Sequence, residues 1–205
     1  MLASLLSAVL PTLLLNGCGS VLTSEQPARQ DYLLRPYLAT APADGRVKPE
    51  LALRVAVIPG LDTDRILALG VDARLNNYAN ARWPDHLPEL LASVMQRSLE
   101  SSGRFASVQV AATGAADPWT LDVELREFYG IQNAAGLTSS VRVGLAGRLA
   151  CADEVHAFSV EESARVAEER LAVVVAAHQA ALDSVTRQLI DRMQTLCGAV
   201  ESPDT

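Results

Sequence analysis

Three cysteines carry most of the chemistry this sequence can offer, and the first sits in the most telling context. Cys18 closes the string Leu15-Asn16-Gly17-Cys18, at the end of an uncharged apolar run from Leu5 to Leu15. A small residue and then a cysteine, behind a short apolar segment, is what a bacterial signal peptidase needs to leave cysteine as the new first residue. The Cys18 thiol would then carry a diacylglycerol and its freed amine a further acyl chain. A run this short does not span a bilayer, which takes roughly 20 residues. Pro11 inside it would break a buried N-terminal helix. No Lys or Arg precedes the run, so the terminal amine has to serve as the basic start, or the true start lies upstream. At about 0.8 kcal/mol per buried methylene, two or three acyl chains hold a protein at a membrane for practical purposes indefinitely.

The other two cysteines, Cys151 and Cys197, form an even pair in an exported chain, where disulfides persist. A bond between them would close a loop of about 45 residues and contribute roughly 4 kcal/mol on the chain-entropy model. Two buried free thiols, packed as small hydrophobes, fit the residues equally well. Zinc is not indicated, because the chain holds no C-x-x-C and no Cys/His cluster. His86, His156 and His178 are far apart and fall in different expected elements, and His178 sits on an apolar stripe as a core histidine would. Glu161-Glu162 and Glu168-Glu169 are adjacent carboxylates, which do not share a face and read as solvated charges. Neither a G-x-S-x-G elbow nor a phosphate-cradling G-x-x-x-x-G-K-[ST] loop occurs. The expectation is a protein without catalysis, metal or cofactor, apart from the lipid on Cys18.

One further cluster has residue types suited to recognition: Asn76-Asn77-Tyr78-Ala79-Asn80-Ala81-Arg82-Trp83-Pro84-Asp85. Tyr, Trp and Arg are favoured as interface anchors, so Tyr78, Arg82 and Trp83 are a candidate partner interface. The alternative is structural, with Trp83 plugging the core and Arg82 paired to Asp85 or a neighbour. Charge narrows the partners. With 17 Lys and Arg against 24 Asp and Glu the net charge is −7, and Lys48 is the one lysine. No basic stripe exists to neutralise phosphates, which disfavours nucleic acid and an anionic lipid surface alike.

The elements that must position these residues follow from periodicity. After residues 1–17 as signal peptide, residues 18–30 read as a tether, 31–198 as one domain and 199–205 as a disordered tail. Asp31 to Arg35 is a first strand ended by Pro36, and Leu51 to Ile58 an apolar inner strand covered on both faces. Ile66 to Val71 and Arg74 to Tyr78 flank a turn at Asp72-Ala73. Asp85 can cap a helix whose stripe is Leu87, Leu90, Leu91, Val94, Met95 and Leu99, closed by Gly103. Phe105 to Val110 is a strand. Trp119 to Arg126 alternates cleanly, and Val141 to Cys151 and Val155 to Glu162 follow as further hairpin partners. From Leu171 a long helix carries Leu171, Val175, His178, Leu182, Val185, Leu189, Met193 and Leu196 on one stripe, bringing Cys197 towards Cys151. The fold class is α+β, a mostly antiparallel sheet with two main helices packed on one side.

Several of these stretches together resemble a known family. They are the cysteine motif at Cys18, Tyr32-Leu33-Leu34, Val55-Ala56-Val57-Ile58-Pro59, Leu61-Asp62-Thr63-Asp64-Arg65-Ile66, Arg74-Leu75-Asn76 and Tyr78-Ala79-Asn80-Ala81-Arg82-Trp83. The pattern, from Cys18 to about Cys197, resembles the ABC-type transport auxiliary lipoproteins, which include paraquat-inducible C lipoproteins. The resemblance implies a non-catalytic periplasmic domain, lipid-anchored at the outer membrane, since Gly19 is not the aspartate that retains lipoproteins in the inner one. Its implied partners are an MCE-domain substrate-binding protein and the permease and ATPase of an ABC system moving phospholipid or other hydrophobic molecules. A homo-oligomer, as a ring around that assembly, is a further partner class. Two other functions stay open: a carrier that binds lipid between sheet and helix, and an assembly factor for outer-membrane components.

Overall fold

The computed structural model describes residues 28–39, 48–111, 119–151 and 154–197. Cys18, the signal segment, most of the tether and the tail after residue 197 lie outside them. Eight strands and two helices are formed among the described residues: β1 (Gln30–Asp31), β2 (Glu50–Val57), β3 (Arg65–Leu69), β4 (Leu75–Arg82), α1 (Leu87–Ser101), β5 (Ser107–Val110), β6 (Trp119–Gln132), β7 (Thr138–Cys151), β8 (Glu154–Arg165) and α2 (Leu171–Cys197). The strands make a single sheet. Its organising member is β6, which pairs with β7 along one edge, while β2 and β3 share the other. The architecture is α+β, and the sheet is mixed. Two long antiparallel ladders, β6–β7 and β7–β8, and the short β3–β4 pair sit beside parallel ladders of β1 with β4, β2 with β5 and β6, and β3 with β6.

Both helices lie on one face. The α1 helix packs on β2 and β5, and α2 on β7, β8 and part of β6. The alternation of β6 explains the burial: Leu121, Val123 and Leu125 are fully or almost fully buried under the helices. At Arg126 the register with β7 slips by one residue, and beyond that bulge Phe128 takes the helix face. This is why β6 continues past Arg126, where the clean alternation of the sequence stops. Gly147 opposes Val123, and a Cβ there would come 1.9 Å from the Asp122 carbonyl oxygen. Only glycine lets β7 draw this close to β6.

Three expectations are corrected. The first strand is two residues long. From Tyr32 to Ala39 the chain is an extended strap, because side chains fasten it where a ladder was expected and Pro36 has no N–H to give. The β2 strand is inner, and Leu51, Ala52 and Leu53 are buried on both of its faces, but the cover does not run its full length, since Ala56 is exposed opposite the helices. Ala56 lets the run read as nearly continuously apolar, although a methyl group gains little from cover. Asp85 is not the residue that caps α1. His86 holds the N-cap position without a side-chain cap, and Asp85 Oδ1 accepts the His86 N–H at 2.8 Å, one residue too early. The Leu87 N–H donates instead to the Thr63 carbonyl at 3.3 Å.

Candidate functional site

Between β2 and β3 the chain leaves the edge of β6, turns through Pro59–Leu61 and returns at Arg65. That excursion carries Asp62, Thr63 and Asp64, and it receives the end of β4. The Trp83 N–H donates to the Asp64 carbonyl at 2.8 Å. The guanidinium of Arg82 spans two acids, with Nε to Asp31 Oδ1 at 3.1 Å and Nη1 to Asp64 Oδ2 at 2.9 Å. It thereby ties β1 to the excursion, and its partners are Asp31 and Asp64, not Asp85. His86 Nδ1 lies 3.1 Å from Asp62 Oδ1, and that hydrogen bond raises its pKa above the ordinary value. Two stretches at the open end of the β3–β4 hairpin, Leu61 to Ile66 and Tyr78 to Trp83, therefore form one junction.

Trp83 is 1 % exposed and belongs to the core. Its ring meets Phe128 edge-on at 5.7 Å and His178 at 5.5 Å, while Phe128 and His178 lie 5.0 Å apart. One ring comes from the junction, one from β6 and one from α2, so the three pin the layers together. His178 is fully buried and its Nδ1 lies 2.9 Å from the Val174 carbonyl oxygen. Burial pushes its pKa down to about 4, because a charged imidazolium would be desolvated among aromatic rings. The tautomer with Nδ1 protonated fits the Val174 acceptor.

Tyr78 is half-buried, and its hydroxyl hydrogen-bonds the Thr138 hydroxyl at the start of β7. Burial pushes its pKa above the usual phenol range, partly offset by that bond. The Thr138 N–H in turn donates to Glu169 Oε2 at 2.5 Å, which carries the link to the residues just before α2. Of the candidate interface residues, Trp83 is thus closed to solvent, whereas Tyr78 and Arg82 keep part of their surface.

Cys151 and Cys197 are joined in a disulfide, with Cα atoms 6.0 Å apart. It fastens the last residue of α2 to the last residue of β7.

Side chains that no sequence motif marks hold the strap. Gln179 accepts from the Arg35 N–H at 2.8 Å and donates to the Arg35 carbonyl at 3.0 Å, copying the two bonds of a neighbouring strand. Ser98 Oγ accepts from the Tyr37 N–H at 3.0 Å, and Ser101 Oγ donates to the Tyr37 carbonyl at 2.9 Å. The strap therefore crosses from α2 to α1. Nothing in the pattern around Gln179 announces this, since its partner is 144 residues away.

The sheet face opposite the helices is an open concavity of about 700 Å³, bordered by Arg54, Arg126 and Arg148 and floored by Ala56, Ala146 and Ala157. Arg54 pairs with Asp122 at 3.0 Å and Arg126 with Glu124 at 2.7 Å. Farther along, Tyr129 donates to Glu127 at 2.8 Å, and burial followed by that bond pushes its pKa up to about 12. Among the described residues no three His, Cys, Asp or Glu side chains gather as a metal site would require.

A comparison with curated proteins finds no match. Solved structures share the fold. Protein XCC0632 from Xanthomonas campestris, a DUF330 protein, is 22% identical with a TM-score of 0.65, over 83% of this chain and 97% of that one. The crystal structure of an uncharacterized protein is 14% identical with a TM-score of 0.62, over 82% of this chain and 99% of its own. The family model for the ABC-type transport auxiliary lipoprotein component matches residues 32–190, which run from the strap to the last turns of α2. By that match the chain belongs to the ABC-type transport auxiliary lipoprotein component family.

Proposed function

We propose that this auxiliary component is a docking lipoprotein, which holds the outer-membrane end of an ABC system whose substrate-binding partner carries an MCE domain. In this reading Cys18 carries a diacylglycerol and an N-acyl chain, and the body stands in the periplasm. The observation that carries it is the family match over residues 32–190. What the fold adds is a body suited to holding. Its strap, junction and ring cluster fasten the N-terminal segment to both helices and to β6. No helix among the described residues is long and apolar enough to cross a membrane.

The carrier alternative requires room between sheet and helices. That space is filled by Leu53, Leu121, Val143, Val185 and Leu189, each 1 % exposed or less. Docking is therefore preferred over carriage.

The test is affinity purification of the full chain from detergent-solubilised membranes. An MCE-domain protein, with permease and ATPase behind it, is expected in the eluate, and its absence under crosslinking overturns the docking role. Tyr78→Phe with Arg82→Gln, checked for folding by circular dichroism, sharpens the surface. Loss of the partner from a folded double variant places the interface at that cluster.

A further inference from the structure

Two hairpin turns lie side by side at one end of the sheet. The β3 strand runs parallel to β6, with Ala68 beside Gly130 and Leu69 beside Ile131, and each then turns back into its hairpin partner. The turns are tight: the Ala73 N–H donates to the Gly70 carbonyl at 3.0 Å, and the Gly136 N–H to the Asn133 carbonyl at 2.9 Å. Cross-braces join the two hairpins. Asn76 Nδ2 donates to Gln132 Oε1 at 3.2 Å, and Tyr78 meets Thr138 one layer farther in. Gly130 fits this brace, because a Cβ there would sit 2.7 Å from the Thr138 methyl.

Beyond the braces stand large apolar side chains with much of their surface open: Val71 is 74% exposed, Leu75 43% and Leu137 49%. Strands are about 4.8 Å apart, so the paired positions Leu75, Leu69 and Ile131 span only about 10 Å, and the two turns that follow Leu69 and Ile131 present Val71 and Leu137 at the same end of the sheet. The charge beside it is closed locally, Arg74 Nε bonding Asp72 Oδ2 at 2.5 Å. Other exposed apolar residues stand apart, with Leu33 and Leu38 on the strap and Val110 and Val155 on distant strands.

The direction of the chain says what this end faces. The β1 strand is parallel to β4, with Gln30 beside Ala81, and β4 begins at its hairpin turn. Traced backwards from Gln30, the chain therefore points towards the two turns. Five residues of β3 separate that level from the turn, about 17 Å at 3.3 Å each. Twelve residues lead from Cys18 to Gln30, enough for at most about 40 Å.

We propose that the paired turns are a membrane seat, in which Val71, Leu75 and Leu137 enter the headgroup–acyl boundary of the bilayer that holds the Cys18 lipid. The seat rests on the reading of Cys18 as acylated. It works by apolar insertion and needs no basic patch. The domain then stands on its hairpin end, with the β7–β8 end farthest from the lipid.

The test uses the full chain as purified from membranes, reconstituted in phosphatidylethanolamine–phosphatidylglycerol vesicles with or without brominated acyl chains. Leu137→Trp and Val71→Trp place reporters on the two turns, and Val155→Trp places one at the opposite end. Brominated lipid should quench the added turn fluorescence about twofold or more, and leave that of Val155→Trp unchanged. Adding Leu75→Asp to Leu137→Trp should reduce the quenching while the protein still floats with vesicles. Equal quenching at both ends, or none at the turns, overturns the seat. Intact mass reads the anchor separately. Acylated Cys18 with unquenched turns removes the seat alone, whereas quenched turns with unmodified Cys18 keep the seat and remove the anchor.

Discussion

The part of the sheet made by β6, β7 and β8 and the part made by β1 to β5 are held together in different ways. In the first, neighbours in space are neighbours in sequence, paired antiparallel through hairpins, and a 27-residue helix lies across them. A disulfide then closes the helix end onto β7. In the second, most ladders are parallel, so their partners arrive from elsewhere in the chain. Its short strands depend on β6 as a template, on the excursion loop and on single side chains such as Arg82 and Gln179. The difference teaches that one part is specified by local pattern, while the other exists only because tertiary contacts complete it. The Trp83–Phe128–His178 cluster is where the two meet.

Removing that meeting point should break the arrangement most. Trp83→Ala leaves a large cavity between the layers and should cost about 3–5 kcal/mol in chemical denaturation. Hydrogen exchange should rise first in α1 and β4; equal rises in β7 and β8 would mean that the two parts are not distinct. Opening the Cys151–Cys197 bond, which spans 46 residues, should cost about 4 kcal/mol. That loss should fall on the end of α2 and leave the Arg82 junction protected from exchange.

Acid should act at the meeting point too. The folded His178 pKa of about 4 lies below its ordinary 6.5, so the unfolded chain binds the extra proton between those values. Stability from this group is complete above pH 6.5 and falls as pH drops towards 4, by about 3 kcal/mol in all. In His178→Leu that slope should vanish from urea titrations across the window; an unchanged slope would place the titrating group elsewhere. The smallest effect belongs to the strap. Gln179→Ala removes two bonds to Arg35 and should cost about 1 kcal/mol, seen as faster proteolysis within residues 32–39 with the β6–β8 part unaffected.

Periodicity alone determined the parts whose partners are local. The alternation of Leu121, Val123 and Leu125, the stripe through Leu182 and Leu189, the turn at Asp72-Ala73 and the hairpin around Gly136 are visible because strands and helices bury every second or every third to fourth residue. The core role of His178 followed from the same stripe. Tertiary structure decided the rest: the parallel edge shared by β2 and β3, the bulge at Arg126, the partners of Arg82 and the clamp of Gln179 on the strap. Cys151 and Cys197 show the division within one feature, since their number admitted either a bond or two thiols until α2 laid one beside the other. The physical reason is range. A residue's own neighbours set its periodic pattern, but a ladder or an ion pair between distant segments has no pattern until the chain has closed the loop between them.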